Sequence, residues 1–122
     1  MQDNPTYENL MDEIYISLKE KIDFAISKGI KIENIILDAG IGFGKTREHN
    51  FEIIKRWKEL KTLNCPVMLG LSRKSLLNLP EATNEEKDIY TLALNSLLMN
   101  ENIDYIRVHN VKIHKNFQNI LL

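Results

Sequence analysis

Apolar residues recur at helical spacing in the first part of the chain, where they predict an amphipathic helix. The apolar positions that repeat every three or four residues are Leu10, Ile14, Leu18, Ile22 and Ala25. Asn4 is a suitable N-cap, with Pro5 as the first helical residue, and Gly29 is a suitable C-terminal stop. The pattern therefore predicts a helix that ends just before Gly29.

Short apolar runs further along predict three strands, at residues 35–37, 67–69 and 105–109. The first two runs contain no polar alternation, which is typical of strands buried on both faces. The third run alternates, so Arg107 and His109 are predicted to point to one face.

Helical patterns separate these runs. One helix is predicted to begin near Glu48 and to end before Pro66. Its predicted buried positions are Phe51, Ile54, Trp57 and Leu60. Thr83 and Glu86 have the spacing of a capping box ahead of the next helix. Its predicted buried positions are Ile89, Leu92 or Ala93, Leu97 and Met99, and a last short helix is predicted over residues 111–122.

The element order is α-βα-βα-βα, which predicts an α/β fold with parallel strands and right-handed crossovers. Residues 1–122 contain no linker or change of composition, so they are predicted to belong to a single domain. Three strands cannot close a barrel, whereas a complete (β/α)₈ barrel has about 250 residues. We therefore expect the chain to be the C-terminal portion of a TIM (β/α)₈ barrel, with the missing part upstream of Met1. Its open edges are expected to be covered by self-association or by that missing segment.

Charge and cysteine content narrow the function classes. The formal net charge is −1, so the chain has no overall attraction for nucleic acid or an anionic membrane. Cys65 is the only cysteine, and neither a signal peptide nor a long apolar span is apparent, which predicts a cytoplasmic protein. The histidines show no zinc-binding spacing, and His49 and His114 are predicted to be capping or surface residues.

Polar residues follow the predicted strands, where ligands bind in parallel α/β folds. The first strand ends at Asp38, the second leads into Ser72-Arg73-Lys74-Ser75, and the third carries Arg107 and His109. Cations and hydroxyls of this kind can hold a phosphate or diphosphate, and a carboxylate suits paired N–H groups. Arg73 and Lys74 could instead be solvated, and Arg107 could pair with Asp38 or Asp104 for structural reasons.

A phosphate loop is an alternative interpretation of the glycine-rich segment. Residues 39–46, AGIGFGKT, nearly fit the pattern GxxxxGK[ST], with Ala39 in place of the first glycine. Lys45 would then reach the terminal phosphates and Thr46 would hold Mg²⁺. However, a nucleoside triphosphatase of this type also needs a second acidic metal ligand after a later strand, and the later strands end at Gly70 and His109.

Three segments of the chain resemble dihydropteroate synthase in order and spacing. They are residues 35–50 (IILDAGIGFGKTREHN), 67–76 (VMLGLSRKSL) and 105–111 (YIRVHNV), which resemble the segments at the sixth, seventh and eighth barrel strands. The opening MQDNPTY resembles the loop after the fifth strand. The resemblance implies a pterin-binding barrel that condenses hydroxymethyl-dihydropterin diphosphate with para-aminobenzoate, releasing pyrophosphate in folate biosynthesis. A pterin-binding methyltransferase domain is a related alternative.

The resemblance also implies roles for individual residues. Asp38 would bind the N–H edge of the pterin, and Lys74 its carbonyl and ring-nitrogen edge. Arg107 would pack on the pterin and join His109 in binding the diphosphate.

Phe43 and Ser75 would hold para-aminobenzoate. None of these residues is assigned as an acid, base or nucleophile, and no metal ligand is expected in this segment. Mg²⁺ is expected to accompany the diphosphate, with its ligand in the missing part. The chain alone is therefore expected to be inactive.

Overall fold

A computed structural model describes residues 9–122 of the chain, beginning just before helix α1 (Leu10–Ser27). The Asn9 side chain caps this helix by accepting the Asp12 N–H at 3.3 Å. The predicted cap at Asn4 and Pro5 lies outside the described residues. Gly29 follows the helix with a φ of +93°, a left-handed conformation that glycine adopts readily, so the predicted C-terminal end is confirmed.

Three strands form one parallel sheet in the order β1-β2-β3. They are β1 (Leu37–Asp38), β2 (Val67–Leu69) and β3 (Tyr105–Ile106). Helix α2 (Arg47–Arg56), extended by a 3-10 helix (Trp57–Leu63), connects the first two strands, and α3 (Asn84–Asn100) connects the last two. Helix α4 (Val111–Leu121) completes the chain. The predicted order and parallel direction are confirmed, although β1 and β3 are shorter than predicted.

Only one face of this sheet is buried. Leu37, Val67 and Leu69 are in the core, whereas the neighbouring positions on the opposite face are half-buried or exposed. The prediction that the first two strands are buried on both faces is therefore wrong, since Ile36 is 48% exposed and Met68 of β2 is only half-buried. The reason is geometric, because a sheet of only three strands cannot close on itself and so cannot cover its second face.

Helix α2 and its 3-10 extension bury the stripe that the sequence predicts. Ile54, Trp57 and Leu60 are buried, and Phe51 is half-buried. Thr46 caps α2 by accepting the N–H of His49 at 3.1 Å, while the His49 ring accepts the Thr46 N–H at 3.0 Å. This reciprocal pair confirms His49 as a capping residue.

Helix α3 buries a polar face, contrary to the sequence prediction. Ile89 is 62% exposed, and Leu97 is exposed as well. The side chains that face the interior are Asp88, Thr91, Asn95 and Leu98. The predicted cap at Thr83 and Glu86 is confirmed, so the helix begins as expected but presents a different face.

The buried polar residues of α3 have polar partners, which explains why the helix turns this face inward. Asp88 pairs with Arg73 from the loop after β2. The amide nitrogen of Asn95 lies 3.0 Å from Nε2 of His114 on α4. His114 is therefore a buried residue rather than a surface one.

Cys65 is also buried, which raises the pKa of its thiol and fits a packing role. No helix within residues 9–122 is long and apolar enough to cross a membrane.

Candidate functional site

Arg107 and Asp38 meet at the carboxyl ends of strands β3 and β1. Nη1 of Arg107 donates to Oδ2 of Asp38 at 3.1 Å, and Oδ1 accepts the Gly40 N–H at 2.9 Å. The sequence left Asp38 and Asp104 as two possible ion-pair partners of Arg107, and the partner is Asp38. Asp104 binds Lys61 and the N–H of Val67. Both side chains of the Arg107–Asp38 pair remain partly exposed, so a ligand can reach them.

Gly70 permits this arrangement because Arg107 crosses directly over it. A Cβ atom at position 70 would lie 2.8 Å from Nη2 of Arg107 and 3.1 Å from its Cζ. Gly70 follows β2, which lies between β1 and β3 in the sheet. The absence of a side chain there lets the guanidinium reach across β2 to Asp38.

Lys74 links the loop after β2 to the glycine-rich loop after β1. Its Nζ donates to the carbonyl of Ile41 at 2.7 Å and lies 5.2 Å from the centre of the Phe43 ring. Burial lowers the pKa of Lys74, the nearby Arg107 lowers it further, and Asp38 opposes both effects. Phe43 is 66% exposed, so its ring is accessible beside this ammonium group.

Lys45 and Thr46 have structural contacts within the glycine-rich segment. Nζ of Lys45 donates to the carbonyls of Gly40 and Phe43, both at 3.0 Å. Burial is the main cause of its lowered pKa. Thr46 uses its hydroxyl to cap α2. The phosphate-loop interpretation needs both side chains to face a phosphate, and these contacts argue against it.

His109 lies in the same shallow pocket as Arg107 and Lys74. The pocket has a volume of about 240 Å³ and is also lined by Gly70, Ser72 and Val108. The Ser72 Oγ lies 2.8 Å from Nδ1 of His109. The structure thus brings Asp38, Lys74, Arg107 and His109 together at one rim of the sheet, as expected for residues at the carboxyl ends of parallel strands.

Arg73 is an ion-pair partner rather than a solvated loop charge. Its Nε and Nη2 donate to the two carboxylate oxygens of Asp88 at 2.8 and 2.9 Å, and its backbone N–H donates to Thr91 Oγ1 at 3.2 Å. The hydrogen bonds that Arg73 donates to Asp88 lower the pKa of Asp88, and the same hydrogen bonds raise the pKa of Arg73. Arg73 has a φ of +58°, an uncommon value for a side-chain-bearing residue, and these contacts hold it there.

Sequence reasoning overlooked the supporting residues Gly70, Asp88 and Thr91. The polar positions Asp88, Thr91 and Asn95 do repeat at helical spacing, so a search for a polar stripe could have found them.

Ser75 is exposed at the start of a 3-10 helix (Ser75–Leu77), outside the pocket of about 240 Å³. Within residues 9–122 no group of three His, Cys, Asp or Glu side chains is placed to hold a metal ion.

Comparison with known proteins identifies the family of the chain. Residues 1–109 match the family described as pterin binding enzyme. The chain belongs to the pterin-binding enzyme family. Dihydropteroate synthase from Clostridium beijerinckii is 45% identical over 114 residues, which covers 90% of this chain and 42% of that protein. The Haemophilus influenzae synthase is 35% identical over 112 residues, covering 91% of this chain and 41% of that protein. The chain thus spans less than half the length of these relatives.

Solved structures of the family agree with the fold. Dihydropteroate synthase from Yersinia pestis, in a sulfonamide drug complex, superposes with a TM-score of 0.90 at 30% identity, over 98% of this chain and 44% of that one. The Anaplasma phagocytophilum enzyme, with bound 6-hydroxymethylpterin-monophosphate, gives 0.82 at 38% identity, over 100% of this chain and 48% of that one. The parallel α/β structure is therefore part of a TIM barrel, and the predicted family and fold class are confirmed.

Proposed function

We propose that this chain forms the part of a dihydropteroate synthase that binds the pterin and the diphosphate leaving group. The proposal rests chiefly on the cluster of Asp38, Lys74, Arg107 and His109 at one rim, in a chain of the pterin-binding enzyme family. The substrates would be hydroxymethyl-dihydropterin diphosphate and para-aminobenzoate, in the cytoplasm. Completion of the barrel, by the remaining part of the protein or by association, would cover the exposed sheet face.

The chemistry assigned to these residues is neutralisation of negative charge. Arg107 would turn from Asp38 towards the departing diphosphate, and His109 and Lys74 would add donors on the same side. Stabilising the charge that develops on the leaving group lowers the barrier to bond cleavage. Asp38, released from Arg107, would accept hydrogen bonds from the pterin N–H groups.

Phe43 would offer its exposed ring to para-aminobenzoate beside Lys74, and Ser75 would add a hydroxyl near that loop. Mg²⁺ would accompany the diphosphate. Residues 9–122 do not fit a magnesium site by themselves, since their carboxylates form no cluster. The contribution of this chain is therefore that of its cations and hydrogen-bond donors.

A fusion experiment tests this proposal. The chain is joined to the part of the Clostridium beijerinckii synthase that it does not match, and we call the product the joined protein. The joined protein is expected to form dihydropteroate from both substrates, whereas the chain alone is expected to show no turnover because it has only part of the pocket. An assay with radiolabelled para-aminobenzoate measures the turnover of the joined protein and of the chain alone.

Two results would contradict the proposal. A folded joined protein without turnover would oppose the assigned function, and turnover by the chain alone would oppose the assigned need for the rest of the barrel. Lys74→Ala in the joined protein is expected to reduce turnover. Lys58→Ala is the matched control, because Lys58 is exposed and pairs only loosely with Glu101, at 3.4 Å.

Gly70→Ala is predicted to weaken binding of pyrophosphate to the joined protein by about tenfold, the effect of one lost charge-assisted hydrogen bond. The added methyl group would displace the guanidinium of Arg107, whose Nη2 would lie 2.8 Å from it. Because the displaced group is the end of a flexible side chain, the melting temperature is expected to change little. Calorimetry measures the affinity for pyrophosphate, and a thermal melt measures the melting temperature. Unchanged affinity would show that the close approach does not position Arg107.

A further inference from the structure

Ser72 is buried next to His109 and makes two contacts with it. Its Oγ accepts the backbone N–H of His109 at 3.2 Å and lies 2.8 Å from the imidazole Nδ1. Ser72 is only 7% exposed, so little water can reach its hydroxyl. In the described part of the chain, His109 is its only hydrogen-bond partner.

Counting donors and acceptors determines the direction of the second hydrogen bond. A serine hydroxyl has one hydrogen to donate and two lone pairs that accept. Its oxygen already accepts a backbone N–H, and Nδ1 is the acceptor within reach of its hydrogen. The opposite arrangement would make Oγ accept twice and leave a buried hydroxyl hydrogen without an acceptor, which is unfavourable.

We propose that Ser72 is a positioning residue that holds the neutral His109 ring as its Nε2–H tautomer, with Nε2 as a donor to the anion. The His109 side chain is exposed and lines the pocket beside Arg107 and Lys74. With Nδ1 bound to Ser72, the ring can donate to a diphosphate oxygen without carrying charge. The identity of the anion rests on the proposed function, whereas the tautomer does not.

The other two histidines serve as internal references for this tautomer. Nδ1 of His114 lies 2.8 Å from the backbone carbonyl of Asn110, which can only accept, so this nitrogen carries the hydrogen. Nδ1 of His49 accepts the N–H of Thr46 at 3.0 Å, so His49 carries its hydrogen on Nε2. One protein therefore holds both tautomers at assigned positions.

Nitrogen NMR of the ¹⁵N-labelled chain, at a pH above the range in which imidazole titrates, tests the inference. Long-range ¹H–¹⁵N correlations distinguish the two tautomers by the shift of each ring nitrogen. His109 is expected to match His49 and to differ from His114. A His109 ring with its hydrogen on Nδ1 would overturn the inference from the wild-type spectrum alone.

Two variants test the role of the hydroxyl. Ser72→Ala is expected to give a mixture of His109 tautomers, and Ser72→Thr, which keeps a hydroxyl, is expected to retain the wild-type form. Unchanged His49 and His114 signals establish that the fold is intact. A Ser72→Ala spectrum with a pure Nε2–H ring would show that Ser72 does not set the tautomer. If that variant fails to fold, the wild-type and Ser72→Thr spectra test the inference, since both are expected to show His109 as its Nε2–H tautomer.

Pyrophosphate binding to the joined protein connects the tautomer to the site. Ser72→Ala is expected to weaken affinity about fivefold, the effect of one hydrogen bond, and Ser72→Thr to change it less than about twofold. Equal affinity in wild type and Ser72→Ala would overturn the positioning role. Equal affinity in wild type and Arg107→Ala, with the expected tautomer, would instead contradict the proposed function.

Discussion

Arg107→Ala in the joined protein is expected to lower kcat/KM for the pterin diphosphate by about 100-fold or more, the effect of removing one preorganised donor from developing charge. Arg107 is placed by Gly70 and held by Asp38 at 3.1 Å before substrate binds. Arg107→Lys is expected to recover only part of the activity, because an ammonium cannot reproduce the planar fork of the guanidinium. Steady-state kinetics with each substrate varied in turn measures the effect.

The matched control for this prediction is Arg56→Ala. Arg56 lies at the end of α2 and pairs with Glu52 and Glu59, remote in sequence from the proposed site. Its replacement is expected to leave kcat/KM within about twofold, because Arg56 is not a residue of the proposed site and a solvent-accessible ion pair contributes little to folding stability. The kinetic role of Arg107 would be refuted by a folded Arg107→Ala protein with the activity of the wild type.

Asp88→Asn is expected to lower the melting temperature of the chain by on the order of 5 °C at neutral pH. Asp88 is 5% exposed and accepts two hydrogen bonds from Arg73. An amide has similar shape but no charge and only one acceptor oxygen, so it cannot satisfy the same guanidinium fork. The loop that carries Lys74 would lose its main attachment to α3.

The pH dependence of this effect follows from the direction of the pKa shift. The pKa of Asp88 is lowered in the folded protein, chiefly by Arg73. The carboxylate therefore contributes stability above its unfolded pKa of about 3.9, and this contribution is lost as the pH falls through the folded pKa. The difference in melting temperature between wild type and Asp88→Asn should be largest at neutral pH and should decrease as the pH falls into the acidic range.

Thermal melts followed by circular dichroism at neutral and acidic pH measure this difference. Asp23→Asn is the control, because Asp23 is exposed on α1 and lies 3.7 Å from Lys19. It is expected to change the melting temperature little at either pH. A difference between wild type and Asp88→Asn that grows in acid would contradict the assigned ion pair.

The sequence alone determined the order of elements and the position of the site along the chain. The run at Val67–Leu69 and the cap at Thr83 and Glu86 depend on neighbours within a few residues, so local patterns predicted them well. The residues after the strands could be placed on one rim because parallel strands end on the same side. The family resemblance, carried by three segments, depended on sequence as well.

Tertiary structure alone decided which faces and partners these elements use. Hydrophobic spacing predicted that α3 buries Ile89, but it buries Asp88, because Arg73 from the loop after β2 supplies a partner that local spacing does not reveal. Asp38 and Arg107 are 69 positions apart and meet across Gly70 only when three strands lie in register. The sequence contains the residue types, while contacts between distant residues depend on how crossovers bring the strands together.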